Sequence, residues 1–169
     1  MKRAIKFFHS LAGIGFAGGL AAYMLVLNSA PDIAATADYA AMRGALNTVA
    51  SWMIMPSMLL AVTSGLLAMA LHYPFHETPW VWVKAGTGLL IFEASLMSID
   101  APAERAANAA ARAVNGEIDT ATLVSLVSDE WKAMWTLLVL AVLNVLLAIW
   151  RPRLWRGATP ESDESKNSA

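Results

Sequence analysis

Few residues of this chain could do chemistry, and most of those lie inside apolar runs. His9 sits in FFHSLAGIGFAGGL, Lys84 and Glu93 in WVWVKAGTGLLIFEAS, and Asn144 in LLVLAVLNVLLAIW. Ionisable groups are costly in such surroundings, so they mark ligand sites, proton paths or helix contacts. His9 could ligate a haem iron through a ring nitrogen, and Lys84 could pair with an anionic group. At about 100° per residue, Thr87, Gly88, Ser95 and Ser98 share the face of Lys84. That small, polar stripe suits contact with other helices, the alternative being a lysine that snorkels to the headgroups. Glu93 falls roughly on the opposite face, which excludes an ion pair with Lys84 inside one helix. It could sit there as a neutral acid, meet Arg43 or Asn47, or face a second subunit; an ionised Glu93 exposed to lipid is rejected. Asn144, which shares a face with Ala141 and Ala148, suits a hydrogen bond between helices, as does Thr63-Ser64-Gly65. Gly15 and Gly19 have the small-xxx-small spacing of close helix packing.

Two patterns resemble metal sites and are discounted. His72 and His76 are four apart, but Pro74 between them breaks the helix that would align them, leaving an interfacial turn with Glu77 nearby. Met53, Met55 and Met58 resemble a thioether set for Cu(I), yet residues two apart lie on different helix faces. No metal is assigned. Neither a nucleophile–base pair nor a phosphate-binding loop nor a paired-carboxylate site is present.

The elements that must hold these residues follow from composition. Of 169 residues, 57% are hydrophobic and 15% charged, against about 45–50% and about 25% in an average soluble domain. The mean hydropathy is +0.51. A core of this size cannot hide that excess, so the expected class is an integral membrane protein with no nucleic-acid partner. The absence of cysteine excludes disulfides, cysteine-ligated zinc, iron–sulfur clusters and covalently attached haem. A crossing needs about 20 mostly apolar residues, and four segments supply them: 7–27, 49–71, 80–99 and 134–150. The expected fold is an all-α, four-transmembrane-helix bundle over 1–156, followed by a polar, disordered tail at 157–169.

Lysine and arginine set its orientation. Lys2, Arg3, Lys6, Lys84, Arg151, Arg153, Arg156 and Lys166 fall on one side, and only Arg43, Arg105, Arg112 and Lys132 on the other. Both termini are therefore expected in the cytoplasm, in a bacterial inner membrane, and the seven tryptophans fall at the two interfaces. The first apolar run is too long for the core of a cleaved signal peptide, so it reads as a retained anchor. The loop between spans 3 and 4 is expected to be helical. Asp100-Ala-Pro102-Ala-Glu104 reads as a helix start, Asn115-Gly116 as its stop, and Asp119-Thr120 as a second start. Asp38–Val49 would lead helically into the second span.

The segments IKFFHSLAGIGFAGGL and WVWVKAGTGLLIFE, with His9 in the first span and Lys84 opening the third, carry a resemblance. They resemble small bacterial four-helix proteins known only as predicted integral membrane proteins of unknown function. More distantly they are similar to oxygen-independent protoporphyrinogen oxidases of the HemJ type and to copper-resistance D-type membrane domains. The chain has no Pro-Arg-Leu segment after its first span, where the oxidases carry one. In those oxidases an early histidine and a later lysine are functional, which implies a b-type haem and points to His9 and Lys84 here. The first functional expectation is thus a tetrapyrrole-binding redox protein, with His9 and His72 as candidate ligands near the cytoplasmic face and Lys84 on a propionate. The second is a non-catalytic membrane module, an accessory subunit or homo-oligomer, associating through Gly15, Gly19 and Glu93. The third is a proton or metal-ion relay through Lys84, Glu93 and Asn144.

Overall fold

The computed structural model describes residues 2–71 and 79–150, and its secondary structure is all helical. Four long helical stretches follow one another along the chain. The first is α1 (Lys2–Asn28). The second joins α2 (Thr36–Val49) to α3 (Met55–Ala70) through a π-helical turn at Ala50–Ile54. The third joins α4 (Pro79–Ser95) to α5 (Ala101–Val114) through a second π-helical turn at Leu96–Asp100. The last contains α6 (Thr120–Val127) and α7 (Glu130–Trp150).

Three stretches are long and apolar enough to cross a membrane: Arg3–Asn28, Thr36–Ala70 and Thr120–Leu147. The helix from Pro79 is not among them, and its apolar run is the one interrupted by both Lys84 and Glu93. The helices extend beyond the four segments marked by hydropathy, because α2 and α5 continue two of them as an additional layer.

The two π turns have one cause. Pro56 and Pro102 lack an N–H, and each ring would collide with the carbonyl four residues earlier in a regular helix. The turn just before each proline widens instead, with the Met55 N–H bonding to the Ala50 carbonyl and the Ala101 N–H to the Leu96 carbonyl. This corrects the reading of Asp100 as a helix start. Asp100 has helical backbone angles and makes no capping bond, and its carboxylate accepts a 3.0 Å hydrogen bond from the Ser51 hydroxyl of the other π turn. Local signals elsewhere match the fold. Asp119 caps α6 by accepting from the Thr122 N–H at 2.9 Å, and Gly116 takes the positive φ of 71° that ends α5. Thr122 donors hold the Asp119 carboxyl below the usual carboxylate range.

In the bundle, α1 packs against α3 and α7, and α4 packs against the same two helices. Phe16, Leu20, Tyr23 and Leu27 form one buried stripe of α1 and meet Ile54, Met58, Ile91, Ile99, Met134 and Leu137. At one end α2, α5 and α6 form a cap with its own small core of Tyr39, Ala110, Ala113 and Leu123. Alanines at 103, 106, 110 and 113 line the buried face of α5 and let its backbone approach closely. The rest of the bundle is apolar outward: Phe7, Ile14, Leu25, Leu59, Leu90, Met97 and Val145 are all more than half exposed. A soluble monomer rarely shows so extensive an apolar surface, and the chain is accordingly a membrane protein. Trp52, Trp82, Trp131 and Trp135 are exposed as well. The segment bearing His72, His76 and Glu77, and the tail 157–169, lie outside the described residues.

Candidate functional site

Lys84 and Asn144 meet between α4 and α7. The Lys84 ammonium donates to Asn144 Oδ1 at 2.9 Å, and Asn144 Nδ2 donates to Thr87 Oγ1 at 2.9 Å. The Thr87 hydroxyl closes the circuit on the Lys84 carbonyl at 3.0 Å. Lys84 thus turns into the bundle, and the polar stripe on its face is a helix contact. Asn144 makes the interhelical hydrogen bonds expected of it.

His9 belongs to a different helix pair. Its Nδ1 lies 3.0 Å from the Ala61 carbonyl and 3.1 Å from Ser64 Oγ on α3. A carbonyl only accepts, and the Ser64 hydroxyl is itself committed to the Leu60 carbonyl at 2.6 Å. The hydrogen is therefore on Nδ1, and in the neutral ring Nε2 keeps the lone pair. The His9 ring packs over Gly65, where a Cβ would make an ordinary contact with it at 3.5 Å. Of the Thr63-Ser64-Gly65 run, Thr63 is exposed and bonds only its own helix. No hydrogen bond joins His9 to Lys84.

Gly15 serves the same contact with α3, and Gly19 extends it to the π turn before α3. A Cβ at Gly15 would lie 2.4 Å from Ser57 Oγ, and one at Gly19 would lie 2.8 Å from Ile54 Cγ1 and 3.3 Å from Met53 Cγ. These glycines are spent inside the chain, which removes them from a role in association between chains. Met53 packs near Gly18 and Gly19 while Met58 is buried in the core.

A buried cluster that sequence reasoning missed lies where the cap meets the bundle. Glu130, at the start of α7, accepts from Arg43 Nη1 at 2.7 Å and from the Tyr23 hydroxyl. Arg43 Nε donates to the Tyr39 hydroxyl at 3.0 Å, and its guanidinium lies 5.1 Å from the Tyr39 ring centre. The side chains of Arg43 and Glu130 are only 3% and 8% exposed, so α1, α2 and α7 are tied together by a desolvated ion pair. Arg43 and Glu130 are therefore not solvated loop charges, and Arg43 is not the partner of Glu93. Asn47 makes no hydrogen bond to Glu93 either, and its own Oδ1 is buried without a donor.

Glu93 stands apart from all of these groups. It is exposed on α4 and makes no hydrogen bond or ion pair among the described residues. Leu89, Leu90, Leu96 and Met97 around it are exposed too, Met97 at 69%.

A cleft of about 220 Å³ opens at the capped end, lined by Ser98, Pro102, Ala106, Ser128, Glu130 and Ala133. It is smaller than the about 300–1,000 Å³ of typical small-molecule sites, and His9 and Lys84 do not line it. Among the described residues no three His, Asp or Glu side chains converge as a metal site. A haem would thus find one free imidazole nitrogen on His9, with Lys84 turned to another helix and His72 outside the described residues. The chain matches no family model, no curated protein and no solved structure.

Proposed function

We propose that this chain is a non-catalytic membrane module whose task is association within the bilayer. The observation that carries this reading is Glu93, a carboxyl on an exposed apolar face with no partner among the described residues. Its contrast with the other polar groups supports the reading, since Lys84, Asn144, His9 and Arg43 all find partners inside the chain. The module crosses the membrane four times, the helix from Pro79 included, with both termini on the cytoplasmic side of a bacterial inner membrane. The lysine and arginine distribution supports that orientation. Removing Glu93 should weaken association roughly threefold to thirtyfold, the range for one hydrogen bond between membrane helices. The mass of the purified particle in mild detergent checks this. Glu93→Leu should lower it and His9→Ala should not; a parent chain that is already monomeric, alone and in its native membrane extract, contradicts the reading.

His9 favours a second reading, in which the chain holds a b-type haem. An imidazole whose Nδ1–H is fixed by a backbone carbonyl presents Nε2 in the form that ligates iron. When bound, haem would supply one-electron redox chemistry, and His9 would hold its iron. A Soret band lost in His9→Ala supports this reading, and a colourless preparation after addition of haemin removes it. A proton or metal-ion relay has less support, because Glu93 is separated from the Lys84–Asn144 contact.

A further inference from the structure

We infer that the seam between α4 and α7 holds an anionic phospholipid, whose phosphate accepts from the Lys84 ammonium. The inference does not depend on Glu93. A lysine amine is protonated at neutral pH and then carries three N–H donors and one charge. Lys84 uses one donor, on Asn144 Oδ1 at 2.9 Å, and no carboxylate pairs with it among the described residues. Asn144 is neutral, so it satisfies that donor and leaves the charge uncompensated in apolar surroundings. A lysine that only snorkels keeps its ammonium loose among the headgroups. This one is half-buried and fixed by Asn144, which is itself held by Thr87. Its two remaining N–H groups are therefore offered from a set position.

Depth and charge select the occupant. Pro79 begins α4 at the end of the bundle away from the cap, and Lys84 lies five residues further on, about 7.5 Å along the helix. Phospholipids place their phosphates at that boundary between hydrocarbon and headgroups. Arg3 and Lys6 are exposed at the same end. Against them, α1 and α3 contain no acidic residue, α7 only Glu130 at the cap, and α4 only Glu93, nine residues beyond Lys84. The described residues thus bring cations and no counter-ion to that end. This favours a headgroup of net negative charge over a zwitterion, which brings its own cation. Room and apolar surface are present too. A Cβ at the half-buried Gly88, one turn beyond Lys84, would meet no atom within 4 Å. Val83 beside Lys84, Leu90 one turn past Thr87 and Leu140 one turn before Asn144 are all exposed and can carry acyl chains.

Native mass spectrometry of the full chain, released from detergent micelles, counts what it retains. The probes are phosphatidylglycerol, phosphatidylcholine and inorganic phosphate. The parent should retain one phosphatidylglycerol in preference to phosphatidylcholine. Lys84→Met should weaken that retention about fivefold or more, the worth of one basic residue at an anionic surface, and Lys84→Arg should keep it. Asn144→Asp supplies a counter-ion inside the chain and should weaken retention as Lys84→Met does. Lys6→Met, which removes an exposed charge at the same end, should have the smaller effect. Helix content equal to that of the parent shows that each variant is folded.

Undiminished retention in Lys84→Met, or a parent without preference for phosphatidylglycerol, would overturn the proposal. Equal losses in Lys6→Met and Lys84→Met would overturn it as well, by making the attraction diffuse. Inorganic phosphate retained by the parent and not by Lys84→Met would assign the ammonium to a free anion instead of a lipid. Tighter retention in Glu77→Gln would make Glu77, which lies outside the described residues, the counter-ion of Lys84 and end the case for the lipid.

Discussion

Glu130 and Glu93 are both carboxylates beside long apolar runs, yet the fold treats them oppositely. Glu130 is buried and accepts from Arg43 and Tyr23, so that one side chain ties α7 to α2 and α1. Glu93 is exposed among leucines and ties α4 to no other side chain among the described residues. A carboxylate whose cost is met within the chain is part of the architecture, and its loss should destabilise the protein. One whose cost is not met within the chain must find its partner elsewhere, and its loss should leave the fold intact. The contrast separates a structural ion pair from a candidate interaction site, although both are acidic residues in apolar sequence.

The largest expected effect breaks the Glu130 side of that contrast. Glu130→Ala or Arg43→Ala leaves a buried charge without its partner and should cost about 3–5 kcal/mol, read as a lower midpoint of denaturant unfolding in micelles. Glu93→Ala should leave that midpoint within about 0.5 kcal/mol, the range of surface substitutions. Next comes the α1–α3 seam. Gly19→Ala drives a methyl against Ile54 and Met53 and should cost about 1–3 kcal/mol, whereas Gly13→Ala meets no neighbour and should be close to neutral. A smaller loss is expected at α4–α7, where Asn144→Ala removes the acceptor of Lys84 and should cost about 0.6–2 kcal/mol. The smallest effect lies in the cap. The Asp119 carboxyl is held below its ordinary range, so its support of α6 is present above the unfolded-state value and lost as pH falls through the lowered folded one. Amide exchange at the start of α6 should quicken over that acidic window in the parent and not in Asp119→Asn.

What was legible in the sequence was mainly what is local. The long apolar segments, the Asp119 cap and the Gly116 stop each depend on neighbouring residues, so their chemistry shows in a short window. The depth of Lys84 and the polar face around it were equally local. Whether that face would meet Asn144 depended on how α4 and α7 rotate against each other. The Arg43–Glu130 pair was not legible, because it joins residues 87 apart that each read alone as a charge in a loop. Tyr39 four residues before Arg43 was the available hint, since that spacing stacks a ring under a guanidinium. Asp100 misled for another reason: an acidic residue two before a proline looks the same whether a helix begins there or continues through a π turn.

The central claim is that Glu93 alone among these intramembrane polar groups is compensated by another chain. Energy transfer between donor- and acceptor-labelled chains in lipid bilayers, followed as lipid is added, measures it most directly. The parent should retain transfer to high dilution and Glu93→Leu should lose it roughly threefold to thirtyfold earlier, with equal helix content in both. Identical dilution curves for the two chains would contradict the account.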